Sequence, residues 1–274
     1  MERLHATSGD CRIVAAINVS PESFYGGSVL TSPQQIADAA KRAEDDGASM
    51  IDIGAMSTAP YKETQISQEE EAARMAMAVR AARTATRLPI SADTQRIAVA
   101  RIALDEGASV INDVNGLRGN AALAELIATR NAGVIVMAND DPALDEGGDT
   151  PIQVVKRLLS DAIARATSAG ISRDRIIVDP GIGFFRHRTR PWDEWDWEVL
   201  RRVSELRELN APLLVGASRK SFLGKIADGQ KVEERLAGSL AVAVWCMEQG
   251  VDWLRVHDVR ETRDVLRVRN KLMG

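Results

Sequence analysis

The chain has 274 residues, 45% of them hydrophobic, and a net charge of -4. That length suits one large domain with a sizeable core, read here as a single domain over residues 1–274. The weakly acidic balance gives no basic field for nucleic acid, and the longest apolar stretch, Leu240–Met247, is far too short to span a bilayer.

Strand-type and helix-type segments alternate from end to end. Met1–Asp10 has no apolar core of a secretory signal. Strands are predicted near 12–17, 49–53, 89–93, 109–112, 133–137, 175–178, 212–216 and 252–255, each followed by a helix. The helices show the 3.6-residue period. Ala72, Met75, Val79 and Ala82 share one face, as do Ile97, Ala100 and Leu104, and later Ile152, Val155, Leu159 and Ile163. Gly47, Gly107, Gly170 and Gly250 close helices just before the next strand. Eight such units favour a closed TIM (β/α)8 barrel of the α/β class over an open doubly wound sheet, whose Gly-x-Gly-x-x-Gly turn after the first strand is absent. The long connections 19–31, 55–67 and 138–151 all follow strands, so they fall on the barrel's top face, where loops carry function. The 181–197 connection is also long and holds three tryptophans. Cys11 and Cys246 match no metal or redox spacing, which points to a reducing, cytoplasmic compartment.

Polar residues stand at the strand ends. Asn18, Asp52, Asp93, Asn112, Asp113, Asp179 and Arg255 each close or follow an apolar run, and in a barrel all of them converge on one mouth. Alone, each could cap the helix that follows. Together, Asp93, Asp179 and Asn112 suit a flat heterocycle with mixed donors and acceptors. The segments Ser218-Arg219-Lys220-Ser221 and Arg255-x-His257-Asp258 follow the last two strands, where barrels commonly hold phosphate. Lys220, Arg255 and His257 can together neutralise a diphosphate. Asn18 opens a Pro/Gly loop and can ligate magnesium beside diphosphate oxygens.

The segments "INVSPESFYGGS", "GASMIDIGAMSTAP", "PISADT", "GASVINDVNGL", "IIVDPGIGF", "LLVGASRKSFLG", "RLAGSLA" and "RVHDV" resemble the dihydropteroate synthases of the pterin-binding family, in family order over almost the whole chain. The resemblance implies a TIM barrel, commonly a homodimer, that joins an arylamine to 6-hydroxymethyl-7,8-dihydropterin diphosphate and releases diphosphate. It implies catalytic roles for Asp93, Lys220, Arg255 and His257. Asp93, Asn112, Met137, Asp179, Phe184, Lys220 and Arg255 would hold the pterin, with Arg255 stacked on the ring. Asn18, Thr58, Arg255 and His257 would hold the diphosphate, with Mg2+ at Asn18. Ser20, Pro21, Phe184, Ser218 and Lys220 would border the acceptor channel.

Some positions depart from the family. Ala59 stands where an arginine is usual, Tyr61 replaces a glycine, and Glu22 replaces an aspartate. Phe185 and Arg186 replace a glycine and a lysine. The tryptophans of 190–197 either pack their loop onto the barrel or wall a wider acceptor channel. These departures lie on the acceptor side, and "SPESFYGGS" and "GAMSTAPY" resemble the archaeal-type branch. A ribofuranosyl-aminobenzene phosphate, as in tetrahydromethanopterin biosynthesis, is therefore an alternative acceptor to the p-aminobenzoate of folate biosynthesis. A folate-binding methyltransferase domain is a further alternative, disfavoured because Lys220, Arg255 and His257 are all retained. A non-catalytic pterin-binding paralogue is the third.

Overall fold

The computed structural model describes residues 11–20, 30–57, 66–140, 148–227 and 229–273. The predicted positions Pro21, Glu22, Thr58, Ala59 and Tyr61 lie outside them. Eight parallel strands form one sheet in the order β6-β5-β4-β3-β2-β1-β8-β7. They are β1 Arg12–Asn18, β2 Met50–Gly54, β3 Ile90–Asp93, β4 Val110–Asp113, β5 Gly133–Met137, β6 Ile176–Asp179, β7 Leu214–Val215 and β8 Trp253–Val256. A parallel bridge between Val178 and Leu213 joins β6 to β7 and nearly closes the sheet into a TIM barrel.

The helices are α1 Pro33–Asp45, α2 Gln68–Ala85, α3 Ile97–Asp105, α4 Ala121–Thr129, α5 Pro151–Ser168, α6 Trp192–Arg201, α7 Ser221–Ile226, α8 Leu236–Glu248 and α9 Val259–Met273. Their starts follow local chemistry. Ser32 and Gln35 form a capping box before α1, with Pro33 in its first turn. Ser67 accepts the Glu70 N–H at the start of α2, and Glu69, Glu70 and Glu71 face the positive end of the helix dipole. All four predicted helix-ending glycines have positive φ.

Two expectations shift. The connection after β7 carries two helices, α7 and α8, where the sequence predicts one. On α3 the fully buried residues are Val99, Ala100 and Ala103, while Ile97 and Leu104 are half-buried at its flanks. Ile97 and Leu104 still pack against the same core, from the sides of the helix.

The strands carry two distinct faces. Their outward face packs on the helices in one continuous core. Their inward face begins with a separate apolar plug of Val14, Met50, Val110, Ile135, Ile177, Leu214 and Trp253. Residues two apart on a strand share a face. Two positions beyond the plug, the same faces therefore present Asp52, Asn112, Met137, Asp179, Gly216 and Arg255 at the top. Asp93 and Asn18 join them, because Asn18 pairs in register with Gly54, Gly54 with Asp93, and Asp93 with Asn112.

Replacing Ile135 by alanine in the fully buried plug should lower stability by about 2–5 kcal/mol without changing the fold. Thermal melting with far-UV circular dichroism measures it. An unchanged melting temperature would contradict the plug as a load of close packing.

Candidate active site

Asp52, at the centre of the mouth, is fully buried. Its Oδ2 accepts from Arg255 Nε at 2.5 Å and from Asn112 Nδ2 at 3.1 Å. Arg255 also reaches Asp93, with Nη2 3.5 Å from Oδ2. One guanidinium thus sits between two carboxylates, Asp52 within β2 and Asp93 at the end of β3. Asp52 Oδ1 and Asp93 Oδ1 are buried with no hydrogen-bond partner among the described residues. Buried carboxylate oxygens are costly unless bonded, so these two are acceptors suited to ligand N–H groups. The sequence placed Asp52 at a strand end but assigned it no role; its spacing two residues above buried Met50 was the available signal.

Burial, followed by repulsion from Asp52, pushes the Asp93 carboxyl up to about 7, with Arg255 pulling the other way. Burial also raises Asp179 to about 6, opposed by its bond from the Gly181 N–H and by Lys220. Burial opposes the charge on Arg255, yet Asp52, Asp93 and Asp179 more than offset it, and its pKa is raised. Lys220 is lowered to about 8 by burial and then by Arg255.

On the β7–β8 side, Arg219 has a positive φ of 55° and is buried. Its Nε and Nη2 form paired 2.8 Å bonds to Asp258, and its Nη1 donates to the Val232 and Glu233 carbonyls. This arginine locks the loop after β7 to the end of β8 and leaves Lys220 to face the mouth. Ser218 Oγ lies 3.1 Å from His257 Nδ1 and accepts the His257 backbone N–H. Ser218, expected beside the acceptor channel, therefore orients His257. Burial, then Arg255, depresses His257 to about 3, so its ring is neutral at physiological pH. It can offer a hydrogen bond to an incoming diphosphate; the fixed positive charge there comes from Arg255.

Phe184 and Lys220, both expected at the acceptor channel, touch each other, with the Lys220 Nζ 4.6 Å from the ring centre. Met137, the last residue of β5, pairs in register with Asp179. Asn18 ends β1, and Ser20 is buried just after it. Asp113, by contrast, caps its own turn, with its carboxylate oxygens accepting the Asn115 and Leu117 N–H groups. Three glycines lie beside side chains of the site. A Cβ at Gly54 would lie 3.4 Å from Asn18 Oδ1; one at Gly183, 3.2 Å from Lys220; one at Gly216, 3.8 Å from Asp179 Oδ2.

The long connections are tied down at their feet. The Leu30 N–H donates to the Asn18 carbonyl, closing the first. Arg96 Nη1 donates to the Ile66 carbonyl and pairs with buried Glu71, which also accepts from Thr94 Oγ1 at 2.6 Å. That clamp joins the second connection to the residue following Asp93. The tryptophans split in role. Trp195 stacks on Phe185 at 4.8 Å in the core, and Trp197 meets the edge of Phe222 at 4.7 Å. Trp192 lies under the Arg186 guanidinium at 4.0 Å. All three stand on α6 rather than in the connection the sequence suggests, and they pack that helix against its neighbours.

Among the described residues, no three His, Cys, Asp or Glu side chains gather as a metal site. Asn18 offers a single side-chain oxygen at the mouth. That fits Mg2+, which retains waters and is commonly held by one or two protein oxygens plus substrate phosphates.

Residues 14–257 match the family model described as pterin binding enzyme. The dihydropteroate synthase of Synechocystis sp. is 36% identical over 265 residues, spanning 95% of this chain and 89% of that protein. The solved structure of Xanthomonas albilineans dihydropteroate synthase with 4-aminobenzoic acid superposes with a TM-score of 0.84 at 32% identity, covering 96% of this chain and 93% of that one. The Coxiella burnetii dihydropteroate synthase in complex with pteroic acid gives a TM-score of 0.86 at 30% identity, covering 98% and 95%. With polar groups of this kind at its mouth and relatives of this kind along its whole length, the chain belongs to the pterin-binding enzyme family, as the dihydropteroate synthases do.

Proposed function

We propose that the chain is a dihydropteroate synthase-type transferase of folate biosynthesis. It condenses 6-hydroxymethyl-7,8-dihydropterin diphosphate with p-aminobenzoate and releases diphosphate. The observation that carries this reading is the pair of partnerless buried oxygens on Asp52 and Asp93 beside Asn112, Asp179 and Lys220. Such a set complements the alternating donors and acceptors of a pterin edge.

Asp93, Asn112, Asp179 and Lys220 bind the pterin's polar edges, Met137 and Phe184 line the ring, and Arg255 lies against it. Arg255, His257, Asn18 and Thr58 receive the diphosphate. Mg2+ held at Asn18 would add charge neutralisation of that group. When the carbon–oxygen bond breaks, its electron pair leaves with the diphosphate and a cation spreads into the pterin. The Asp93 carboxylate, in a largely dry site, stabilises that cation. The arylamine, bordered by Ser20, Pro21, Phe184, Ser218 and Lys220, then forms the carbon–nitrogen bond and gives up a proton. An arylamine is a weak nucleophile, so holding it close to the exposed carbon supplies much of the rate. Asp52 serves the same site by aiming Arg255 and Asn112.

Support for related readings is of the same kind. Free Cys11 and Cys246 suit a reducing cytoplasm, and no described helix is long and apolar enough to cross a membrane. Leu240 and Val244 on α8 are only half-buried and Trp245 is 41% exposed, which favours a homodimer.

The direct test is mass analysis of the products made from the pterin diphosphate with competing arylamines. Dihydropteroate should dominate over the ribosyl phosphate adduct; the reverse would move the protein to tetrahydromethanopterin assembly, and no product would overturn the transferase reading. Asp93→Asn should cut turnover by about 100-fold or more.

The pH profile of kcat/KM should be bell-shaped. Activity rises as Asp179 and Asp93 ionise through about 6 and 7 and falls as Lys220 loses its proton above about 8. Asp52→Asn removes a repulsion that raises Asp93, so the acid limb should move to lower pH while the KM for the pterin diphosphate rises. An unmoved limb with unchanged KM would refute the role given to Asp52.

A further inference from the structure

Helix α6 carries a buried acid that the reaction scheme leaves unused. Asp196 is 1% exposed. Its Oδ1 accepts the Gly183 N–H at 2.8 Å, and its Oδ2 is buried without a hydrogen-bond partner among the described residues. A half-satisfied buried carboxylate costs stability, and its one bond is to the turn Gly181–Phe184.

That turn is over-determined. At its start the Gly181 N–H donates to Asp179 Oδ1 at 2.8 Å, and the Phe184 N–H closes it on the Gly181 carbonyl at 3.0 Å. Gly181 has φ +72°, and a Cβ there would fall 1.9 Å from the Ala138 carbonyl oxygen, so the chain passes hard against the end of β5. Lys220 lies on the turn, with its Cδ 3.2 Å from the Cβ position of Gly183 and its Nζ over the Phe184 ring. Two carboxylates, Asp179 and Asp196, favour the charged form of Lys220.

We propose that Asp196 is a positioning residue: through the Gly181–Phe184 turn it seats Lys220 and Phe184 at the mouth, and it supplies Lys220 with a second counter-charge. The role in catalysis rests on the transferase reading; the seating of Lys220 does not.

The charged groups around the pair are few. Asp196 is faced by Lys220, by Arg186 of the loop after β6, and by Asp193 of its own helix. Asp193 is itself paired with Lys225 of α7 at 2.6 Å. Lys220 is faced by Arg255, Asp179, Asp196 and Arg186. Burial raises Asp196 to about 6, against the Gly183 bond and Lys220, so it is ionised for the most part at neutral pH.

Two substitutions separate charge from scaffold. Asp196→Asn keeps an acceptor for the Gly183 N–H and removes the charge; Asp196→Ala removes both. In the full-length protein, lysines are reductively methylated with 13C-formaldehyde and the Lys220 signal, assigned with Lys220→Arg, is titrated by NMR. In Asp196→Asn, Lys220 should titrate lower by roughly half a pH unit or more. The alkaline limb of kcat/KM should move down with it. Asp196→Ala, if it folds, should lose about tenfold in kcat/KM, with a higher KM for the arylamine. An unmoved Lys220 titration in Asp196→Asn overturns the proposal, whatever the fate of the alanine variant, as do wild-type kinetics in a natively melting Asp196→Ala. A wild-type protein that makes no product, combined with a shifted Lys220, refutes the transferase reading and leaves the counter-charge of Asp196 on Lys220 standing.

Discussion

Each strand of a closed barrel has a single inward face, repeated at every second residue, and everything at the mouth depends on that period. Below, the inward face must fill space, so it carries Val14, Met50, Val110, Ile135, Ile177, Leu214 and Trp253. One step higher it must do chemistry, so it carries Asp52, Asn112, Met137, Asp179, Gly216 and Arg255. A slip of one residue on any strand would bury its polar side chain among the helices and turn an aliphatic one into the site. The apolar plug therefore supports the fold and also fixes the parity that aims the acids.

Charge at the mouth is balanced by proximity. Arg255 lies between Asp52 and Asp93, and both Asp179 and Asp196 favour the charged form of Lys220. Each cation is shared, so no carboxylate is fully compensated, and burial holds Asp93, Asp179 and Asp196 above the usual carboxylate range. Such a site binds a ligand rich in N–H donors better than it binds water, because the ligand completes hydrogen bonds that the protein leaves open. Neutral His257 follows the same rule: burial first, and then neighbouring Arg255, disfavours a second cation there.

The supports lie one layer further out, and several are arginines. Arg219 on Asp258 aims the loop after β7, and Arg96 on Glu71 ties the foot of the second connection to the end of β3. Arg188 pairs with Asp140, which also accepts the Arg186 and His187 N–H groups and holds the loop after β6 against β5. Planar guanidinium groups suit this work because each binds carboxylates and carbonyls in fixed directions. The side chains proposed to meet substrate thereby stand beside braced loops.

Much of the protein was legible in the chain itself. Alternating strand and helix periods gave eight βα units, and polar strand ends located the mouth. Asp93, Asn112, Asp179, Lys220, Arg255 and His257 stand out as candidates because each follows an apolar run or stands in a segment with family resemblance. Three things depended on the tertiary structure. Asp113 and Asp52 look alike in sequence, yet the register turns one into a turn cap and the other into the partner of Arg255. Ser218 and His257 are 39 residues apart and meet only because β7 and β8 are neighbours. Asp196 lies in a helix with no strand-end signature, and its place beside Gly183 follows from how α6 packs between its neighbours α5 and α7. Local sequence sets periodicity and chemistry, because both depend on near neighbours along the chain. Which of two similar acids is paired, shared or left half-satisfied is decided by residues distant in sequence, and so by the closed barrel.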